Sequence, residues 1–248
     1  MGAGSAIGLS LWLASASASA DPFRIATYAA PLSREGPGLL LKDIVSGQDK
    51  GITAIVDVIS AADPDLLLLT DFDHDAGLAA LNAFADLLAK RGTAYPFRFA
   101  RPSNAGLPTG LDMDGNGALG EARDAMGYGD FRGNGGMALL SRVPIDTDNV
   151  ADFTGLLWRD LPGAQMPQMN GQPFPSKEAM AIQRLASAGF WVVPVLPEGG
   201  PPFALLASAA TTPAFDGPED RNGLRNRDEI RFWSLYLDGA FGAAPSSF

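Results

Sequence analysis

The sequence predicts an α+β domain, helices packed on β-sheets, and three observations predict it. Residues 23–69 give the order strand, helix, strand; residues 78–88 give a second amphipathic helix; residues 190–208 give two strands joined by a turn-rich link. A chain of 248 residues without internal repeats is long enough for one domain with a sizeable core, and a single domain is expected.

Phe23 to Tyr28 is rich in β-formers and alternates loosely, which predicts the opening strand. Ile52, Ile55, Val56 and Ile59 recur at helical spacing, and Leu66 to Leu69 after Pro64 is a run short enough for a buried strand. Leu78, Leu81, Phe84, Ala85 and Leu88 mark the next helix, closing near Lys90 and Arg91, where cations suit a helix C-terminus. Arg101 to Gly136 is rich in Gly and Asp without an apolar period. It reads as a loop insertion, a place to look for ligands.

Met137 to Ser141 resumes as a strand, Asp146 to Asp160 is irregular, and residues 162–175 form a second surface loop. A helix is predicted from Lys177 to Ala186, then strands over Phe190 to Leu196 and Phe203 to Ser208 linked as a hairpin. Ile230, Trp233 and Leu237 define the face of a last helix that Gly239 stops.

Met1 to Ala20 is small and apolar, with a core from Ile7 to Ala14 and an Ala18-Ser19-Ala20 site before Asp21, although no Lys or Arg precedes the core. It reads as a secretory signal, so a periplasmic or secreted protein is expected. The core falls short of the roughly 20 apolar residues that span a bilayer. Cysteine is absent, which excludes disulfides and thiolate chemistry.

With 28 acidic and 18 basic residues the net charge is −10, which disfavours nucleic acid as a partner and leaves a small phosphoester compatible. A solvated acidic exterior serving solubility alone is the competing reading. No partner protein is indicated. A phosphate-cradling P-loop, a Gly-x-Ser-x-Gly elbow and a His-Glu-x-x-His helix are all missing.

The segment Ala207-Ser208-Ala209 followed by Asp216-Gly217-Pro218-Glu219-Asp220-Arg221-Asn222 closely resembles a loop in a bacterial, exported branch of the endonuclease/exonuclease/phosphatase family, relatives of deoxyribonuclease I. Arg24 to Tyr28, Pro64 to Asp71 and Gly135 to Ile145 are similar to further strands of that family, in the family's order. The resemblance implies a four-layer sandwich, two face-to-face mixed β-sheets flanked by helices, incomplete at the C-terminus because the chain stops at Phe248 before the family's Asp-x-Asn strand and final Asp-His.

It also implies a divalent cation, Mg2+ or Mn2+, held by the carboxylate that ends the second strand, here Asp71 in place of Glu. The family's Asn on the first strand is Ala29, and its phosphate-orienting histidine is Ala209. Activity is therefore expected to be weak or lost. If the chain is active, Asp71 holds the metal while Arg221 and Asn222 contact phosphate. The alternative is a non-enzymatic exported binding or structural protein with a calcium-stabilised loop.

Other candidates carry two readings each. Asp71, Asp73, His74 and Asp75 cluster at a strand end: a hard cation bridges Asp71 and Asp73, or the segment is a solvated turn with Asp75 capping the next helix. Asp112-Met113-Asp114-Gly115-Asn116-Gly117 matches the first half of a Ca2+ loop; Arg123 stands where an EF-hand carries Glu, with Glu121 and Asp124 as substitutes. Asp112, Asp114, Asn116 and Asp124 hold a structural Ca2+, or the segment is a plain Gly-Asp turn. In the run from Asp216 to Glu229, Arg221 or Arg225 clasps a phosphate, or the charges form an ion-pair network that fixes the loop. Tyr128, Arg132 and Asn134 are placed at the substrate mouth.

Overall fold

The computed structural model describes residues 22–241. The export signal read at residues 1–20 lies outside the described residues. The first sheet takes β1 (Ile25–Leu32), β2 (Leu66–Phe72), β3 (Phe97–Phe99) and β4 (Gly136–Ser141) in the order β1-β2-β4-β3. It is mixed: β1 and β2 run parallel, and β4 is antiparallel to both β2 and β3. The parallel pair needs a long crossover, supplied by α1 (Leu39–Ser46) and α2 (Lys50–Ala62).

Of these, α1 has no counterpart among the predicted elements. Gly38 and Gly47 flank it in the left-handed region, φ 78° and 64°, and Leu40 and Ile44 bury one face at i, i+4. Asp49 caps α2 by accepting from the Ile52 amide at 3.0 Å, a bond that holds its carboxyl below the usual range. α3 (Ala79–Lys90) follows β2 and buries Leu81, Phe84, Ala85 and Leu88 as their spacing predicts. Leu78, read as part of that face, instead precedes the helix at φ 56°.

The second sheet is β5 (Ala151–Asp152), β8 (Phe190–Val195) and β9 (Phe203–Ser208), with β6 (Gln168–Met169) and β7 (Gln172–Pro173) forming a separate short hairpin. Among the described residues every pairing in the second sheet is antiparallel, where a mixed sheet was expected. For β8 and β9 the reason is chain length: residues 196–202 form a hairpin link, whereas a parallel crossover takes a dozen or more residues.

Three apolar clusters join these elements. The first lies between α1, α2, α3 and one face of the first sheet through Leu67, Leu69 and Leu140. The second lies between the two sheets, with Leu66, Leu68 and Leu139 against Trp191, Val193 and Ala207. The third packs Phe190, Val192 and Trp158 on Phe232 and Tyr236 of α5 (Arg221–Leu237). Alternation on β2 feeds two clusters at once. Each buried leucine contributes about 1.5–3 kcal/mol relative to exposure.

Two helices differ from expectation. α4 (Lys177–Ile182) stops four residues early, because Gln183 turns its amide inward to the Met126 and Arg184 carbonyls, both at 3.0 Å. On α5, Ile230 is 60% and Leu237 65% exposed, while Arg225, Asp228, Glu229, Phe232 and Tyr236 are buried. The helical spacing is intact, but the buried face is half polar.

Candidate functional site

The ends of β1 and β2 present the first candidates. Ala29 pairs with Thr70, and the register of both strands then shifts around Asp71, which bulges out at φ 63°. Asp tolerates this left-handed conformation better than most residues. The Asp71 side chain is exposed and accepts no hydrogen bond among the described residues. A Cβ on Gly135 would stand 3.1 Å from its Oδ1, so the glycine gives the carboxylate room.

Asp73, two residues on, is 4% exposed and fully engaged. Its Oδ1 accepts from Gly135 N at 2.9 Å and Asn134 Nδ2 at 3.1 Å, and its Oδ2 from Arg34 N at 2.9 Å. Burial pushes its carboxyl up against the pull of these bonds, and the neighbouring charge of Asp71 adds to the rise. Asp73 thus ties β1, β2 and the glycine-rich loop together and is not shared with Asp71. Arg34 extends the tie, with Nε 2.7 Å from Asp43 and Nη2 3.1 Å from Asp49.

Asp75 accepts from the Ala80 amide at 2.9 Å, the capping role. His74 donates its backbone N–H to Gly133 O at 2.8 Å; its half-buried ring is held below the usual histidine range by burial, which the Asp75 charge opposes. Of the residues placed at a substrate mouth, Tyr128 is 71% exposed, Arg132 is exposed, and Asn134 is spent on Asp73 and the Arg34 carbonyl.

Ala209 directly follows β9, with its side chain against the inter-sheet cluster that includes Met137, the partner of Thr70. Its carbonyl accepts from Ser187 Oγ at 3.0 Å. Glu229 fixes the same region: Oε1 accepts from Ser187 N at 2.8 Å and Oε2 from Thr211 N at 2.5 Å. Burial pushes this carboxyl up, against the charge of Arg225. Arg225 itself, 6% exposed, donates to the carbonyls of Leu185 (2.9 Å), Met126, Arg184 and Ala186 (3.0 Å each), and burial brings its pKa down to about 10. Its guanidinium is committed to backbone, the network role rather than a phosphate clasp.

The remaining candidates converge on one loop. Asp112, Asp114 and Asp124 each turn a carboxylate oxygen to within 4.8 Å of the others, a spacing suited to a hard cation with oxygen ligands at 2.3–2.6 Å. Burial would raise the Asp112 carboxyl, but the Gly117, Gly115 and Asp114 amides that donate to it hold it low. Asp124 is 3% exposed and accepts from Met113 N and Glu121 N at 2.9 and 3.1 Å. Asn116 donates to Glu121 Oε2 at 2.7 Å, and Arg123 lies 3.7 Å from Asp114.

Arg221 of α5 donates to the Met113 carbonyl in this loop, and burial lowers its pKa against the charges of Asp114, Glu219 and Asp216. Asn222 donates from its backbone to Asp216 Oδ2 at 2.5 Å and from its side chain to Ala214 O at 2.7 Å. Two features read separately in the sequence, the Asp112 loop and the charged run, therefore meet. The sequence reading missed Arg34 and Ser187; Gly135 and Glu229 it named only as part of a strand and of a charged run.

The sequence pattern of the Endonuclease/Exonuclease/phosphatase family matches residues 45–247. The chain belongs to that family, whose fold is that of phosphoester hydrolases and whose members generally use divalent metals. Among solved structures it is similar to an endonuclease/exonuclease/phosphatase from Beutenbergia cavernae DSM 12333, with 19% identity and a TM-score of 0.47 over 87% of this chain and 43% of the other. The chain thus spans less than half the length of that relative. No curated protein matches it.

Proposed function

We propose that this chain is a weak metal-dependent hydrolase of a small phosphoester, with Mg2+ or Mn2+ anchored by Asp71. The observation that carries the reading is the contrast among neighbours: Asp73 and Asp75 are spent on amides, while Asp71 stands exposed and unengaged beside Gly135. One carboxylate suits Mg2+, which keeps several waters and binds through one or two carboxylates plus substrate phosphate. Such an ion would neutralise charge on the phosphoryl oxygens and activate water.

Arg221 has further N–H donors beyond the one given to Met113 and is the cation proposed to meet the phosphate; Asn222 holds the loop that presents it. Ala29 and Ala209 offer neither oxygen nor imidazole, which supports a low rate. The charge of −10 favours a small substrate over nucleic acid. Export to the periplasm or medium belongs to the same proposal and rests on residues 1–20; protein that stays in the cytoplasm with residues 1–20 uncleaved would contradict it.

The test is turnover of bis-p-nitrophenyl phosphate with Mg2+ or Mn2+. Slow metal-dependent release that D71A abolishes supports the reading, and installing A29N with A209H is expected to raise it at least tenfold. Release that is absent, or unchanged in D71A, overturns it. A structural Ca2+ on Asp112, Asp114 and Asp124 is proposed beside it, favoured by the convergence of their oxygens, and it would persist in a chain without activity.

A further inference from the structure

The apolar stripe that the sequence predicts for α5, Ile230, Trp233 and Leu237, is largely left out of the core: Ile230 is 60% and Leu237 65% exposed. Its place in the fold is specific. Asn226 and Trp233, one turn either side of Ile230, donate to Thr211 O at 2.7 Å and to Ser208 Oγ at 2.9 Å, so the stripe runs beside the end of β9.

β9 is itself an open edge. Phe203 and Leu205 pack on the inter-sheet cluster and Ala204 and Leu206 on the α5 cluster, so both faces are covered. Yet only Ala207 of its six residues is buried, whereas every residue of β8 is. The exposure therefore lies along the edge, where no β9 backbone group has a partner beyond β8 among the described residues. Natural edge strands are guarded by charge, proline or a bulge, and Phe203–Ser208 has none of these.

The first sheet has the matching gap. Ile25 and Thr27 pair with Leu66 and Leu68, so they and Ala29 point to the same side, into the space between the sheets. Leu66 and Leu68 are buried there, but Ile25, Thr27 and Ala29 are exposed, Ile25 by 54%. Phe23 meets Phe203 edge-on at 5.7 Å, which puts β1 on the β9 flank of the sandwich. One more strand beside β9 would cover these three residues, with the α5 stripe bordering its other face.

We propose that this slot takes an extended, uncharged strand of a partner polypeptide, paired to β9 through its backbone and carrying apolar side chains on both faces. The free ladder calls for a strand, and the two uncharged walls select its side chains, as for any strand buried on both sides. A second copy of this chain does not fit, because its own β9 is already covered on both faces and its β1 on the helix face. The site is independent of hydrolysis at Asp71.

The probe is an acetylated and amidated Lys-Thr-Val-Ile-Val-Thr-Val-Lys peptide, added to the isotope-labelled full chain without divalent metal. Saturable NMR shifts are expected at β9, β1 and the α5 stripe, and the outward amides of β9 should exchange about tenfold more slowly or less with solvent. The N-methylated peptide, which keeps the side chains and loses the ladder donors, is expected not to bind. I25K and I230K alter exposed residues on opposite walls, and each should weaken binding by about tenfold or more, since a charge would be buried under the strand. V45K, the same charge change at an exposed position of α1, should not. No saturable shift, equal binding of the N-methylated peptide, or binding that I25K and I230K leave intact or V45K weakens equally would overturn the proposal. So would outward β9 amides already protected in the free chain, the sign that another copy or the chain's own end fills the slot.

Discussion

Arg225→Met removes the guanidinium that joins α5 to two irregular segments while keeping much of the side-chain volume. Four carbonyls lose a donor, but unequally. Met126 O and Arg184 O keep the Gln183 amide, and Ala186 O keeps Asn104 Nδ2 at 2.8 Å. Leu185 O loses its only donor among the described residues. One orphaned carbonyl costs about 1–3 kcal/mol. Glu229, which Arg225 pulls toward its charged form, is left buried without a compensating cation, and breaking such a partnership costs about 3–5 kcal/mol when nothing else holds the charge. Here two amides still hold it, so the expected loss is about 3 kcal/mol. For a chain of this size that corresponds to a Tm lowered by about 6–12 °C. Urea unfolding with E229Q and the double variant completes the cycle, and the double is expected to be more stable than additivity by about 1 kcal/mol or more. A loss under about 1 kcal/mol for R225M, or strict additivity, would refute the idea that these two residues act as one staple.

The same staple carries a pH signature. Because burial raises the Glu229 pKa, its contribution is fully present below the ordinary carboxylate value and is lost as pH rises through the raised pKa, so the stability gap between wild type and E229Q should narrow over that window. His74 is shifted the other way: its ring should titrate below 6.5 by NMR, and the stability it confers is present above 6.5 and lost as pH falls through the folded value. Calcium at about 100 times its dissociation constant should stabilise the chain by about 2.7 kcal/mol, raising Tm by roughly 5–11 °C over an EGTA control. D114A should remove that rise; an unchanged Tm in the wild type would dismiss the ion.

What the sequence made legible followed from periodicity. The faces of α2 and α3, the buried run of β2 and the β8–β9 hairpin announce themselves because apolar spacing alone decides them. β3 is three residues long and α1 eight, too short for a periodic signal to stand out. The site divides the same way. Asp75 as a cap is readable from its place before a helical run. The unengaged state of Asp71 is not, because it depends on a bulge and on which neighbours Gly135 and Asn134 choose to satisfy.

The polar face of α5 has a physical origin in the loops it covers. Residues 101–135, 183–189 and 209–220 contain little regular structure, and although the first pairs several of its backbone groups internally, the Leu185 carbonyl and the Ser187 and Thr211 amides find no backbone partner among the described residues and must be paired elsewhere. A helix lying on them with an apolar stripe would leave the carbonyls of Leu185 and the amides of Ser187 and Thr211 unanswered. Arg225 and Glu229, one turn apart, supply donors to the first and acceptors to the other two. Asp228 does likewise for the Gln165 amide at 2.9 Å and the Trp158 indole at 2.8 Å. Below them Phe232 and Tyr236 meet a regular sheet, whose backbone is already paired, and there the face turns aromatic. The density of charge from Asp216 to Glu229, which suggests phosphate chemistry when read in sequence, is thus to a large extent what irregular neighbours demand of the helix that buries them.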